Sequence, residues 1–89
     1  MAWRIDFNPH ARDDLARLDR EVQRRILRFL RERVALLDDP RQLGDALAGK
    51  LKGLWKYRVG DYRVTARIED EAVRVLVVRI GHRRQVYRQ

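Results

Sequence analysis

The cationic residues in the second half of this sequence fall at spacings suited to holding a phosphodiester. In LWKYRVGDYRVT, Leu54 to Thr65, a strand would send Trp55, Tyr57 and Val59 one way and leave Leu54, Lys56 and Arg58 on the opposite face. Gly60-Asp61 is a two-residue hairpin signal with glycine first, so Val59 should face Tyr62, Arg58 should face Arg63 and Lys56 should face Thr65. Lys56, Arg58 and Arg63 then share one face, with two arginines directly opposed. Such a pair weakens a sheet unless something anionic sits between them. Further on, IGHRRQVYR, Ile80 to Arg88, sends His82, Arg83, Arg84 and Tyr87 out of a strand that is apolar at nearly every residue. Pairing Ile68 with Val73 would set Arg79 opposite Tyr62. Gly81 to Arg84 would then emerge at the Gly60-Asp61 end, where Arg83 reaches Arg58 and Arg63.

A guanidinium stays charged at any working pH, so Arg58, Arg63 and Arg83 suit bidentate phosphate binding and the charge that develops on a phosphorane. Lys56 and Tyr87, unlike a guanidinium, can give up a proton, and neighbouring cations would disfavour ammonium and favour phenolate. Either is a candidate for proton transfer. Metal-free cleavage, with the RNA 2′-hydroxyl attacking its own phosphate, fits this set because it needs proton transfer and charge stabilisation but no external nucleophile. Lys50, Lys52, His82 and Arg84 are candidate RNA contacts, His82 as a phosphate donor, a turn residue or an acid/base group. The plainer readings stand beside these: Lys56 as a solvated strand lysine, Tyr87 as a packing aromatic, His10 as a structural or solvent-facing residue. Trp55, Tyr57 and Tyr62 belong by alternation with Val59 and Val64 and are expected in the core rather than stacked on bases.

The rest of the composition bounds the possibilities. Eighty-nine residues suffice for a single domain spanning 1–89 and leave little room for a second core. There is no cysteine, and the two histidines, His10 and His82, lie far apart, so neither a disulfide framework nor a metal site is expected, and no cofactor is implied. MAWRIDFNPH has neither the apolar core of a signal peptide nor the length of a membrane span, which points to the cytoplasm. The net charge of +8 is uneven: residues 1–49 carry ten Lys/Arg against nine Asp/Glu, residues 50–89 eleven against four. A field of that kind suits a polyanion such as nucleic acid, or an acidic protein partner.

The elements that must position the cations are readable in outline. Trp3, Ile5 and Phe7 alternate with Arg4 and Asp6 as a short strand. Asn8-Pro9 caps and starts a helix with Ala11, Leu15 and Leu18 on its apolar face. Asp19 can cap a longer helix in which Val22, Ile26, Phe29, Leu30, Val34 and Leu37 recur at spacings of three and four, ending by Asp38-Asp39-Pro40. Its other side carries a stripe of Arg20, Arg24, Arg28 and Arg31, a solvated face or a contact for a nucleic-acid backbone. Residues 38–53 read as a connecting loop with one helical turn expected at Asp45 to Ala48. Tyr62 to Ile68 should turn at Glu69 to Glu71 into a strand, Val73 to Ile80, that is central and buried on both faces.

The segment LKGLWKYRVGDYRVTARIEDEAVRVLVVRIGHRRQVYR, Leu51 to Arg88, resembles the second half of a toxin of the RelE/ParE superfamily, most specifically in its GDYR and GHRR..VY segments. The strand and two helices before it fit that family over the whole chain. The resemblance implies an α+β domain of order β-α-α-β-β-β, a small, mainly antiparallel sheet with two N-terminal helices on one face. It also implies an mRNA-cleaving toxin of a type II toxin-antitoxin module, working in the decoding site of the ribosome and held inactive by an acidic antitoxin. RelE-like enzymes place basic and tyrosine residues at the positions filled here by Lys56, Arg58, Arg63, Arg83 and Tyr87. Position 58 is arginine where some relatives have lysine, and many relatives continue into a C-terminal helix where this chain stops two residues after Tyr87. The alternatives are a ParE-like toxin acting on DNA gyrase and a module that binds nucleic acid or antitoxin without catalysis.

Overall fold

A computed structural model describes residues 2–82, and within them two helices lie on one face of a five-stranded sheet of order β1-β5-β4-β3-β2. The strands are β1 (Arg4–Phe7), β2 (Asp45–Ala46), β3 (Trp55–Val59), β4 (Tyr62–Glu69) and β5 (Arg74–His82). β1 runs parallel to β5, and the other pairs are antiparallel. The α+β arrangement expected from the sequence is therefore present, with β2 as an added edge strand.

Helix α1 (Pro9–Ala16) starts where the sequence says it should. The Asn8 side chain accepts a hydrogen bond from the Ala11 N–H at 2.8 Å, and Pro9 occupies the first turn, where no N–H is needed. Helix α2 (Arg20–Phe29) follows after three residues; its Asp19 cap makes no side-chain hydrogen bond, and the turn is held instead by Gln23, whose side chain donates to the Leu18 carbonyl at 2.9 Å. The helix does not stop at Phe29 but widens into a π-helical turn over Leu30–Val34, where the Ala35 N–H reaches the Leu30 carbonyl. Ile26, Leu30 and Val34 are fully buried against Tyr57, Val59, Val64, Ala66, Val75, Val77 and Ile80. Each such aliphatic burial contributes about 1.5–3 kcal/mol. β5 is central, as its apolar run implies, but only its helix-facing residues are fully buried; Leu76 and Val78 are half-buried.

Two expectations are corrected. The β4–β5 register pairs Ile68 with Val75 and Tyr62 with His82, not Ile68 with Val73 and Tyr62 with Arg79. The turn is longer than read: the Val73 N–H bonds to Asp70 O, Val73 takes a left-handed φ of +49°, and pairing resumes at Glu69 and Arg74, whose side chains form a 2.6 Å ion pair. A bulge between Thr65 and Ala66 on the ladder then adds one residue on β5, which exchanges the faces beyond it. Ile80 thereby enters the core opposite Val64, and Gly81 comes opposite Arg63.

The second correction concerns residues 38–53. Instead of a helical turn at Asp45 to Ala48, there are 3₁₀ turns at Pro40–Leu43 and Gly49–Leu51 flanking β2. The extended chain passes close over Tyr57: a Cβ on Gly44 would lie 3.2 Å from the Tyr57 ring. The Tyr57 hydroxyl donates to the Pro40 carbonyl at 2.8 Å, and Arg41 grips Asp70 through two nitrogens, at 3.1 and 2.7 Å, while its guanidinium lies 5.7 Å from the Trp55 ring centroid. These contacts fasten the connection to the lower end of the sheet.

Candidate functional site

The β3–β4 hairpin closes through Gly60-Asp61 as its sequence requires. Gly60 has φ +60°, open to glycine at little cost, and a Cβ there would also meet the Arg25 guanidinium at 2.9 Å. The register is Val59 to Tyr62, Arg58 to Arg63 and Lys56 to Thr65, as read from the sequence. Since Tyr57, Val59 and Val64 go into the core under the helices, the alternating residues Lys56, Arg58 and Arg63 share the opposite face of the sheet. Arg58 and Arg63 are directly paired, which sets their Cα atoms about 4.5–5.5 Å apart, and Lys56 lies about 7 Å along the strand from Arg58.

The two arginines differ in setting. Arg58 is exposed, whereas Arg63 is only 4% exposed, and its guanidinium is held below the ordinary arginine range first by burial and then by the charge of Arg58. Its neighbour on β5 is Gly81, which contributes no side chain to the space above it. A phosphate between the two arginines would relieve their repulsion while accepting several N–H bonds, a geometry suited to binding a phosphodiester and to stabilising added charge on it.

Of the other sequence-predicted residues, Lys50 and Lys52 are exposed at the 3₁₀ turn before β3, with no described contact to the arginine pair. His82 pairs with Tyr62, so the ladder directs it to the helix-facing side, where its ring meets Tyr62 edge-on with centroids 5.6 Å apart. That direction differs from the Arg58–Arg63 face. Arg83, Arg84 and Tyr87 lie outside the described residues. Tyr57 and Tyr62 pack with the core as expected, whereas Trp55 is only half-buried, lies outside the core cluster and has the Arg41 guanidinium beside its ring; burial pushes the Tyr57 phenol up to about 12. Among the described residues there is no cluster of three or more metal-ligating side chains, and no helix is long and apolar enough to cross a membrane.

Comparison with known proteins agrees with this architecture. Residues 5–87 match the family model of the ParE toxin of the type II toxin-antitoxin system parDE. The chain belongs to the RelE/ParE toxin superfamily. The toxin is 32% identical to toxin RelG of Mycobacterium tuberculosis over 89 residues, all of both chains, and 37% identical to toxin RelE of the same organism over 86 residues, covering 97% of this chain and 87% of that one. Its fold matches a chain in the crystal structure of the toxin-antitoxin complex RelBE2 from M. tuberculosis with a TM-score of 0.84 and 28% identity, over 92% of each chain.

Residues the sequence did not single out also shape the toxin's surface. Arg25 and Arg33 line a groove of about 370 Å³ with Arg28 and Arg58, beside Val59 and Gly60. Asp14 of α1, its side chain 11% exposed, accepts from the Ile80 N–H at 2.8 Å and from Arg79 Nε at 2.9 Å. That carboxylate occupies the edge of β5 past the end of β1, where no strand among the described residues pairs with it. Neither role has a local signature, since each depends on which helix lies beside which strand end.

Proposed function

We propose that the toxin is a ribosome-dependent endoribonuclease that cleaves mRNA in the decoding site without a metal ion. The observation that carries this reading is the opposed Arg58–Arg63 pair on the sheet face away from the helices, a like-charge arrangement that an anion would stabilise. Arg58, Arg63 and Arg83 hold the phosphate, and Lys56 and Tyr87 move protons. One group takes the proton of the 2′-hydroxyl as its oxygen attacks phosphorus, and the other delivers a proton to the departing 5′-oxygen. The products are a 2′,3′-cyclic phosphate and a free 5′-hydroxyl. Lys50, Lys52 and Arg84 contact the surrounding RNA, while His82, packed on Tyr62 on the helix-facing side, is left out of that set. The RelBE2 relative was crystallised as a toxin-antitoxin complex, which supports a cognate antitoxin for this chain; its acidic segment folds onto the basic toxin in the cytoplasm.

The test is cell-free translation with purified toxin, mapping mRNA 5′ ends with and without ribosomes beside an Arg63→Ala control. Cuts that require ribosomes, disappear in the control and leave 5′-hydroxyl ends support the proposal. Cuts leaving 5′-phosphates would point to water as nucleophile. Intact mRNA would bring forward the gyrase-directed reading, favoured by the ParE description of the matching family model, and an assay of DNA supercoiling would decide it.

A further inference from the structure

Helix α2 and its π turn carry six arginines, no lysine and only two acidic residues, Glu21 and Glu32, between positions 20 and 34. Core packing explains little of this: Arg20, Arg24, Arg25, Arg28, Arg31 and Arg33 are all exposed, although Arg33 lies over the half-buried Phe29 ring at 5.9 Å, while Ile26, Leu30 and Val34 supply the buried side. Among the described residues only Arg24 forms an ion pair, a loose one with Glu21 at 3.5 Å. From Arg20 to Arg31 the stripe runs about 16 Å along the helix. Its continuation was not visible in the sequence: Arg25, Arg28 and Arg33 share their groove with Arg58, so the charge on α2 joins that of the sheet at the open end of β3. Beyond Lys56, β3 has no described strand partner on that side.

We infer that this face is a second RNA-binding surface, which takes the phosphate backbone of structured RNA next to the cleaved strand. The inference rests on the ribosome-directed reading for the source of that RNA. Charge alone would equally suit an acidic protein segment, but the apolar content of the face decides between them. A segment that folds on binding must bury apolar surface, and among the described residues the exposed large hydrophobics, Leu36, Leu43, Leu51 and Val73, all lie outside residues 20–34. A nucleic-acid backbone needs only closely spaced cations, and guanidinium groups match phosphate oxygens two at a time.

The experiment measures binding of the full-length toxin to an RNA duplex of about 16 base pairs, from about 50 to 200 mM salt. The variant is Arg24→Gln/Arg28→Gln/Arg31→Gln, which keeps helix propensity, and the charge-matched control is Arg4→Gln/Arg12→Gln/Arg17→Gln. The stripe variant is expected to bind roughly tenfold or more weakly, with a salt slope lower by about 2–3, since each lost phosphate contact removes about 0.9. The control should stay near the wild type. Equal losses in both variants would mean that net charge alone matters, and no loss in the stripe variant would mean that RNA does not use this face. Either overturns the inference, as would a stripe variant that binds RNA normally but no longer binds an acidic peptide. Cleavage is read separately: at saturating concentration the stripe variant should cut mRNA at wild-type positions. Wild-type toxin that leaves mRNA intact while the binding pattern holds would remove the nuclease reading and leave the surface standing.

Discussion

The two faces of the β3–β4 hairpin are built from alternate residues of the same dozen positions, yet they obey opposite rules. On the helix side Tyr57, Val59 and Val64 are almost wholly removed from water and contribute stability through burial. On the other side Lys56, Arg58 and Arg63 gather like charges, with Arg63 buried and its charge disfavoured by Arg58. The first face makes the hairpin stable enough to hold the second. Stability alone would not select an arginine opposite an arginine, so that pair is where function is to be sought.

The largest expected effect that would sharpen this contrast is on the core side. Tyr57→Ala should lose about 3–5 kcal/mol in urea unfolding, the range for large aromatic truncations in a core. A loss below 1 kcal/mol would mean that the ring is not central to the packing. On the other face Arg63→Ala should lower the rate of the proposed ribosome-dependent cleavage about 10²–10³-fold, as when a donor to a developing oxyanion is removed, with the fold kept by circular dichroism. Near-wild-type cleavage would break the contrast, leaving the arginine pair without a catalytic part.

A third variant probes the sheet edge rather than either face. Asp14→Ala should cost about 1–3 kcal/mol by leaving the Ile80 N–H without its acceptor, and Asp14→Asn should recover part of it. The pH dependence of the core face has a definite sign. The folded Tyr57 phenol sits at about 12 against 10.0 normally, mainly through burial, so its contribution is fully present below pH 10 and is lost as pH rises toward 12. Tyr57→Phe should flatten that alkaline decline in the urea midpoint while costing about 1 kcal/mol at neutral pH through the lost hydrogen bond to Pro40. The smallest effect, and the finest test of the opposed charges, is Arg58→Gln. It should stabilise the free toxin by about 0.5 kcal/mol, since it removes a directly opposed like charge. Unchanged or reduced stability would show that the pair is not frustrated.

Much of this was legible because it depends on local rules. Gly60-Asp61 defines a tight turn, a tight turn sets the register of its two flanking strands, and register with period-2 alternation puts Lys56, Arg58 and Arg63 on one face. The β4–β5 pairing was not legible in the same way. Its turn closes through a left-handed Val73, a conformation valine disfavours and that no sequence signal announces, and the bulge beyond it, which brings Ile80 into the core, has no local signal either. Asp45 to Ala48 reads locally as a helical turn, but Gly44 passes close over Tyr57 and Asp45–Ala46 pairs with the edge of β3, which holds the chain extended.

By itself, then, the amino-acid order determined the two helices, the four longer strands, the hairpin and the sign of the charge, because capping, periodicity and turn chemistry act within a few residues. Only the tertiary structure decided which charges meet. Asp14 at the edge of β5, Arg25 over Gly60, and the groove that joins the α2 arginines to Arg58 all depend on contacts between residues far apart in the chain. Such contacts exist only after the helices have buried their apolar sides on the sheet.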